Sequence, residues 1–387
     1  MYKLENVFVA YRVISRLYFY LPILVVYFIS RGIGYLEIGL LIATYSLLVG
    51  LLDGRVKSIS KLLGLKKTIA TGELLKATGL GVLFYADNFS GLLLGQLFSG
   101  AGYLLTIGID SQLLSRGLNN KDRYSAIETR SHSFVLLSIM ISGVFGGFAA
   151  HLFGPSAAIA ISIPGPIISA LIALQFRESE VSIKHESRTQ SESTKTLENK
   201  ALLFYVTNYA IVRGIFMAVF VAYFPIIYFV KLETPLLIFG IVLGGYTLVS
   251  VLASKNHLTI FSVVGERTAL GMAYFLLITV VILIATSSKS GWLVYLAPVL
   301  LGYAAGITRP ATISLLSKHC DDSLRDYLMS KSESVCAVLT ALIVISVNTI
   351  IQYFGIDAGL FYLATLTILI LTLLGILNGY QKRPNLQ

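Results

Sequence analysis

The sequence predicts an all-α membrane protein of twelve transmembrane helices, arranged as two similar six-helix bundles with both termini in the cytoplasm. Three observations support this fold class. Of the 387 residues, 56% are hydrophobic and 13% are charged, whereas soluble domains contain about 25% charged residues. Apolar stretches of about 20 residues recur along the chain, each long enough to cross a hydrocarbon core of roughly 30 Å. The second half of the chain also repeats the first.

Each predicted span is an apolar run bounded by polar or charged residues. We place the spans at 7–30, 34–53, 67–86, 91–115, 129–152, 156–176, 201–230, 235–254, 268–287, 290–316, 328–352 and 356–379.

The cationic residues are divided unequally between the two sets of connecting segments. Most of the 30 lysines and arginines lie at the termini or in one set of alternate segments, and the opposite set holds only Arg31, Lys231 and Lys289. Because cytoplasmic loops are enriched in Lys and Arg, both termini are expected in the cytoplasm. The net charge of +10 therefore follows membrane topology and does not indicate nucleic-acid binding.

The repeat defines the expected domains. An offset of 201 residues pairs Gly39 with Gly240 and Gly64 with Gly265. A parallel repeat of this kind predicts a pseudo-twofold axis along the membrane normal and a cavity between the halves. We expect an N-terminal bundle over 1–176 and a C-terminal bundle over 201–387, joined by a Ser-, Glu- and Lys-rich cytoplasmic linker at 177–200.

Three stretches of the sequence resemble the major facilitator superfamily. The loop KSISKLLGLKK (57–67) is similar to the G-x-x-x-D-R-x-G-R-K loop of that family at Gly64, Lys66 and Lys67, although Lys61 replaces the loop acid. Asp53 stands where drug-exporter-like members have a Glu. The run GYAAGITRP (302–310) resembles the tenth helix of the family.

The fourth span and the loop after it resemble the drug-exporter-like branch, with Asp110 before a Leu-Leu pair and Glu128 and Arg130 in an E-x-R. The resemblance implies a twelve-helix transporter without a cofactor. It also implies a cytoplasmic gate that includes Asp53, Gly64, Lys66, Lys67, Glu128 and Arg130.

Charged residues inside the spans are the candidate site residues, because a charge in hydrocarbon is costly without a partner or a function. Arg12 and Arg16 share one face of the first span, and Arg213 lies in the seventh. The superfamily lines its cavity with these two helices. We therefore predict that Arg16 and Arg213 flank an anionic substrate, since guanidinium groups bind planar oxyanions. The alternative is that they are structural partners of acids such as Glu73 or Asp110.

The remaining charged residues inside the spans are candidates for proton coupling or for ion pairs. Glu73 and Lys76 are three residues apart on one helix and can form an internal pair. Asp110 or Glu73 could carry a coupling proton, and static ion pairing is the alternative. Arg309 precedes Pro310, which can kink the tenth span, while an ion pair with a neighbouring helix is the other possibility for Arg309.

Several function classes find no support in the sequence. It contains no G-x-x-x-x-G-K-[ST] phosphate-binding loop and no His or Cys spacing typical of a metal site. The sequence therefore predicts a secondary active transporter for a small organic solute, coupled to protons and working by export or exchange. Alternatives are an organic-anion or organophosphate carrier, a membrane enzyme acting on lipid, and a non-transporting receptor or assembly protein. We expect a monomer, surrounded by lipid, in the cytoplasmic membrane of a prokaryotic cell.

Overall fold

The computed structural model describes residues 2–118, 121–176, 200–287, 291–320 and 322–381. Within these residues the regular structure is helical. The α-helices, numbered α1 to α16 in chain order, are Tyr2–Ser15, Leu24–Ser30, Tyr35–Leu63, Leu65–Tyr85, Phe89–Thr106, Ile109–Gly117, Lys121–Phe153, Pro155–Ser162, Pro164–Leu174, Lys200–Ala218, Leu236–Lys255, His257–Val264, Glu266–Ala285, Ala297–Ser317, Asp322–Phe354 and Ile356–Gln381.

Ten helical stretches of the described chain are long and apolar enough to cross a membrane. They correspond to ten of the twelve predicted spans. The two others are the first span and the third, which is α4. Helix α4 has 21 residues, enough to cross a bilayer core, but it carries Glu73 and Lys76. The total of twelve and the cytoplasmic position of the termini stay predictions.

The first predicted span, 7–30, is wrong as a single helix. Helix α1 ends at Ser15, a short 3-10 turn covers Leu21–Ile23, and α2 begins at Leu24. Pro22 explains the interruption, because proline has no N–H to donate and its ring clashes with the carbonyl four residues earlier. The break places Arg16 in a non-helical segment that a continuous helix would not provide.

The fourth predicted span, 91–115, is also interrupted. Helix α5 ends at Thr106, and Gly108 adopts a left-handed conformation with φ of 76° before α6 begins at Ile109. Glycine adopts this conformation without the steric penalty of a Cβ. As a result, Asp110 lies in the first turn of a new helix.

The backbone supports the sequence repeat at two loops. Gly64 and Gly265, which are 201 residues apart, have φ/ψ of 81°/157° and 77°/154° and cap α4 and α13. Gly154 and Gly355 have the same separation and φ of 85° and 89°. Non-glycine residues almost never occupy this region. The two halves therefore share turn geometry as well as sequence.

The helices form two compact units. Unit 1 comprises the described residues of Met1–Ser182 with Val221–Leu248, and unit 2 those of Ile183–Phe220 with Val249–Gln387. The predicted bundle boundaries at 176 and 201 stay a prediction. Most of the predicted linker, 177–199, lies outside the described residues.

Glycines allow close helix contacts inside unit 1. Helix α4 packs along α5, where a Cβ on Gly79 would lie 2.7 Å from the carbonyl oxygen of Gly95. Helix α7 approaches α11 in the same way, and a Cβ on Gly240 would lie 2.8 Å from the carbonyl oxygen of Gly143. Small residues let helix backbones approach in membranes, where packing replaces the hydrophobic driving force. Gly143 and Gly240 therefore permit the close approach of α7 and α11.

Candidate functional site

A polar cluster in unit 1 surrounds Arg12 of α1, which is 8% exposed. Its Nε donates to Asp110 Oδ2 at 3.0 Å and its Nη1 to Glu128 Oε1 at 2.8 Å. The same guanidinium donates to the hydroxyls of Ser131 and Ser111, at 3.0 and 2.7 Å. One buried cation thus bonds two carboxylates and holds α1 to α6 and α7.

Asp110 accepts hydrogen bonds from its own helix as well as from Arg12. Because α6 begins at Ile109, Asp110 lies in its first turn, where the helix dipole favours negative charge. The backbone N–H of Ser111 donates to Asp110 Oδ1 at 2.8 Å. Both carboxylate oxygens of Asp110 therefore have a donor.

The Glu73–Lys76 pair is present on α4. Lys76 Nζ donates to Glu73 Oε1 at 2.8 Å, and the hydroxyl of Tyr11 donates to the same oxygen at 2.9 Å. Glu73 is fully buried and Lys76 is 5% exposed. The second oxygen, Glu73 Oε2, is buried and has no hydrogen-bond donor among the described residues.

Arg16 has aromatic rather than acidic neighbours. Its Nη1 donates to the hydroxyl of Tyr18 at 2.7 Å, and its guanidinium carbon lies 5.3 Å from the ring centroid of Tyr103. Within the described residues of unit 1, the structure places no carboxylate at ion-pair distance from Arg16. Its positive charge is therefore stabilised by a cation–π interaction and by one hydroxyl group. Together these compensate the charge less strongly than a carboxylate would.

A small cavity of about 10 Å³ lies beside Arg16 in unit 1. This is close to the smallest space that can hold one water molecule. The polar residues that line it are Ser15, Tyr18, Tyr20, Tyr45, Lys76, Ser99 and Ser162. Its lining includes one ammonium group and several hydroxyls, and no carboxylate.

In unit 2, Arg213 is paired with an acid that the sequence analysis did not single out. Arg213 Nε donates to Glu333 Oε2 at 2.7 Å, and the hydroxyl of Tyr209 donates to Glu333 Oε1 at 2.8 Å. Glu333 is the only acidic residue inside the predicted span 328–352. An acidic residue within a predicted span is the signal that could have identified it.

The two arginines predicted to flank a substrate therefore differ. Arg16 and Arg213 align at an offset of 197 residues, in the first helix of each half of the repeat, but only Arg213 bonds a carboxylate in the described structure. In unit 1 the corresponding α1–α7 ion pair is made by Arg12, one helical turn earlier. Arg16 and Arg213 lie in different units, and each is described within its own unit.

Arg309 lies on α14 and is exposed, close enough to Glu333 to act on it electrostatically. Helix α14 continues through Pro310, so the proline does not divide the helix, and the predicted bending during gating stays a prediction.

The predicted gate residues have different surroundings. Gly64 caps α4, and Lys66 and Lys67 lie in the first turn of that helix. Glu128 bonds Arg12, whereas Arg130 is exposed and lies over the ring of Phe134 at 5.8 Å. Asp53 belongs to α3, and its side chain lies outside the described part of the structure. The gate itself stays a prediction.

Neither a metal site nor a nucleotide site emerges from these clusters. Across the described ranges, no group of three or more His, Cys, Asp and Glu side chains is arranged to hold a metal ion. The arrangement combines ion pairs, hydroxyls and aromatic rings, with the ion pairs of Glu73 and Arg12 buried in unit 1 and the Arg213–Glu333 pair half-buried in unit 2. Such groups can bind a polar solute or exchange a proton.

Comparisons with known proteins agree with this architecture. The sequence model of the Major Facilitator Superfamily matches residues 12–343. No curated protein sequence matches the chain at a significant level.

Solved transporter structures share the fold at low sequence identity. A mutant of nucleoside transporter NupG has a TM-score of 0.80 and 12% identity, covering 97% of this chain and 99% of its own. A POT family transporter in complex with 5-aminolevulinic acid has a TM-score of 0.74 and 13% identity, covering 98% and 96%. A D-xylose-proton symporter has a TM-score of 0.72 and 12% identity, covering 97% of both chains.

Proposed function

The chain belongs to the Major Facilitator Superfamily, and from this premise we propose that it moves a small organic solute across the cytoplasmic membrane by proton-coupled secondary transport. The family match, the apolar helices and the transporter neighbours indicate a multi-pass membrane transporter and not an enzyme. The solute class and the coupling ion are the parts that the proposal adds, and export or exchange as the direction of transport stays a prediction. The drug-exporter-like branch, the monomeric state and the prokaryotic source remain predictions.

The lack of a carboxylate partner for Arg16 among the described residues is the observation that supports an organic anion as the solute. A guanidinium at membrane depth is costly unless a partner compensates its charge. Arg12, Lys76 and Arg213 each bond a carboxylate, whereas the described residues supply Arg16 with a tyrosine hydroxyl and aromatic rings. A carboxylate or phosphate on the solute would complete the site with charge-assisted hydrogen bonds.

Arg213 is the second candidate for anion binding, as the sequence repeat predicts. Its bond to Glu333 must first be released or weakened for a solute to take its place. We therefore assign primary recognition to Arg16. Arg213 is assigned a secondary contribution that depends on Glu333.

A flux assay in proteoliposomes tests the proposal. The purified protein would be offered carboxylates, organophosphates, sugars, nucleosides, peptides and cationic drugs, with and without an imposed pH gradient. We expect uptake or release of an organic anion that responds to the gradient. Flux of a cationic drug only would contradict the assignment of Arg16, and flux indifferent to pH would contradict proton coupling.

Substitution of Arg16 gives the first quantitative prediction. Arg16→Gln should reduce anion flux about tenfold to a hundredfold, because a hydrogen bond to a charged group contributes about 1.5–3 kcal/mol. Arg16→Lys should retain part of the flux, since it keeps the charge and loses the planar fork.

Arg55→Gln is the matched control for Arg16, because it removes an exposed arginine of the same unit that belongs to none of the predicted sites. We expect its flux to equal that of the unmodified protein. Equal flux in Arg16→Gln and Arg55→Gln would show that Arg16 does not recognise the solute.

A further inference from the structure

An apolar cluster joins three helices of unit 2. Its buried members come from α10, α14 and α15 and are Leu202, Val206, Tyr209, Leu316 and Met329. Arg213 lies four residues after Tyr209 on α10, and Glu333 lies four residues after Met329 on α15. Residues four apart share one face of a helix, so both charged side chains lie one turn beyond the apolar cluster. Their hydrogen bond of 2.7 Å places them at the same level.

Arg309 reaches this level from α14. It lies four residues before Ile313, which packs against the same apolar cluster. Because only residues 318–321 connect α14 to α15, the two helices run in opposite directions, and an earlier position on α14 faces a later one on α15. The electrostatic influence of Arg309 on Glu333 and on Tyr209 agrees with this placement. Two guanidinium groups and one carboxylate therefore lie close together beside the cluster.

Glu333 is committed to two donors of α10. Tyr209 donates to its Oε1 at 2.8 Å and Arg213 to its Oε2 at 2.7 Å. Both carboxylate oxygens thus have a donor, and the ion pair of these side chains joins Glu333 to Arg213 and not to Arg309. The carboxylate is therefore the counter-ion of Arg213.

The charges of Arg213, Arg309 and Glu333 do not cancel. Helices α10 and α14 contain no acidic residue. The other acids of α15, Asp322 and Asp326, precede Glu333 by at least seven residues, which is about 10 Å along the helix axis. The two arginines and one glutamate therefore carry a net charge of +1, and Arg309 supplies the excess.

These three side chains are open to small molecules. Arg309 is exposed, and the side chains of Arg213 and Glu333 are 32% and 33% exposed. Arg309 is the thirteenth of the 21 residues of α14, well inside an apolar span, where a cation is costly unless water or an anion compensates it. A carboxylate compensates a guanidinium more strongly than water does, because the two planar groups form paired charge-assisted hydrogen bonds.

We propose that Arg309 is the centre of an anion-binding site in unit 2, and that Glu333, by neutralising Arg213, restricts this site to one monovalent organic anion such as a monocarboxylate. The inference rests on the proposed function for the class of solute, since both assign an anion to an arginine at membrane depth. Arg213, which has a secondary contribution in the proposed function, stays bound to Glu333 in this site.

The carboxylate of Glu333 gives the site a preference among anions. A monovalent anion at Arg309 brings the three side chains to zero net charge, whereas a dianion would leave an excess negative charge. Excess charge at membrane depth is unfavourable, because few groups there can compensate it. Without Glu333 the two arginines would carry a charge of +2, and a dianion would become the better ligand.

Acetate binding to the purified full-length protein in detergent tests the site without requiring transport. Malonate serves as the dianion and acetamide as the uncharged control, at pH ~8, where simple carboxyl groups are ionised. The readout is the ligand concentration that raises the melting temperature half-maximally. The series is measured in the unmodified protein and again with Arg16→Gln, so that anion binding in unit 1 is counted separately.

Arg309→Gln removes the excess charge and leaves the Arg213–Glu333 pair in place. Because Arg309 is exposed, this change should preserve the fold. We expect the half-maximal acetate concentration to rise at least about tenfold, which corresponds to about 1.4 kcal/mol. Lys331→Gln is the matched control, since it removes an exposed cation of α15 that does not share a helix face with Glu333. It should leave the acetate response unchanged.

Two further variants test the part played by Glu333. Glu333→Gln raises the net charge to +2 and should lower the half-maximal malonate concentration, relative to that of acetate, by about tenfold. Arg213→Gln/Glu333→Gln removes the ion pair as a whole, which leaves no lone carboxylate, and keeps Arg309 as the excess charge. Its acetate response should stay within about twofold of that of the unmodified protein, and this variant keeps the test valid if Glu333→Gln does not fold.

The outcomes distinguish the site from the proposed function. Unchanged acetate binding in Arg309→Gln, lost acetate binding in Arg213→Gln/Glu333→Gln, or an equal response to acetamide would overturn the site. An unaltered preference for acetate over malonate in Glu333→Gln would overturn the role of Glu333. The expected binding pattern without flux of any organic anion would support the site and contradict the proposed transport. Anion flux that depends on Arg16, together with acetate binding that ignores Arg309, would support the proposed transport and overturn the site.

Discussion

Arg12→Gln is expected to lower the free energy of unfolding by about 3 to 5 kcal/mol, the range found when one partner of a buried ion pair is removed. Asp110 and Glu128 would lose their shared guanidinium, and α1 would lose its charged bonds to α6 and α7. The Ser111 and Ser131 hydroxyls would also lose a donor. The measurement is the melting temperature of the detergent-solubilised protein, followed by the fraction that remains monodisperse.

Two control variants define the origin of this effect. Arg130→Gln removes an exposed arginine whose recorded contact is with the ring of Phe134, and it should change stability by no more than about 0.5 kcal/mol. Arg12→Gln combined with Asp110→Asn and Glu128→Gln should recover much of the loss, because no buried charge is left unpaired. A melting temperature of Arg12→Gln equal to that of Arg130→Gln would refute the structural role of the cluster.

Gly79→Val is expected to destabilise unit 1 by about 1 to 3 kcal/mol or more, the usual effect of overpacking. A Cβ at Gly79 would lie 2.6 Å from the backbone nitrogen of Ser99 and 2.7 Å from the carbonyl oxygen of Gly95. Because these are backbone atoms, α4 and α5 must move apart. Ser99 lines the unit 1 cavity, so the displacement should also change the shape of that cavity.

Gly81→Val provides the matched control on the same helix. A Cβ at Gly81 would have nothing within 4 Å, so no neighbour has to move. We expect its melting temperature to stay close to that of the unmodified protein. Equal losses in the two variants would mean that lower glycine content, and not the α4–α5 contact, determines the effect.

Local spacing predicted the features that depend on neighbouring residues in the chain. The Glu73–Lys76 pair follows from a separation of three residues on one helix. Gly64 and Gly265 were identified by the repeat, and both adopt a backbone conformation that only glycine accommodates well. Ten of the twelve apolar runs correspond to helices that are long and apolar enough to cross a membrane.

Interruptions within apolar runs were harder to predict. Pro22 is a sequence signal for the break in the first span. Gly108 is an ambiguous signal, because most glycines in membrane helices serve close helix packing and do not end a helix. Hydropathy does not distinguish a continuous helix from two helices in line. The left-handed turn at Gly108 is what places Asp110 at the start of α6.

The sequence alone determined the membrane class, the two-fold repeat and the set of charged residues at membrane depth, because these depend on composition and on the period of apolar residues. Only the tertiary structure decided which charges are partners. Arg12 and Arg16 are predicted to share a helix face. Arg12 bonds Asp110 and Glu128, which are 98 and 116 residues away in the sequence. Arg16 instead contacts Tyr18 and Tyr103. A guanidinium bonds only a carboxylate within a few ångströms, and the packing of distant helices determines that distance.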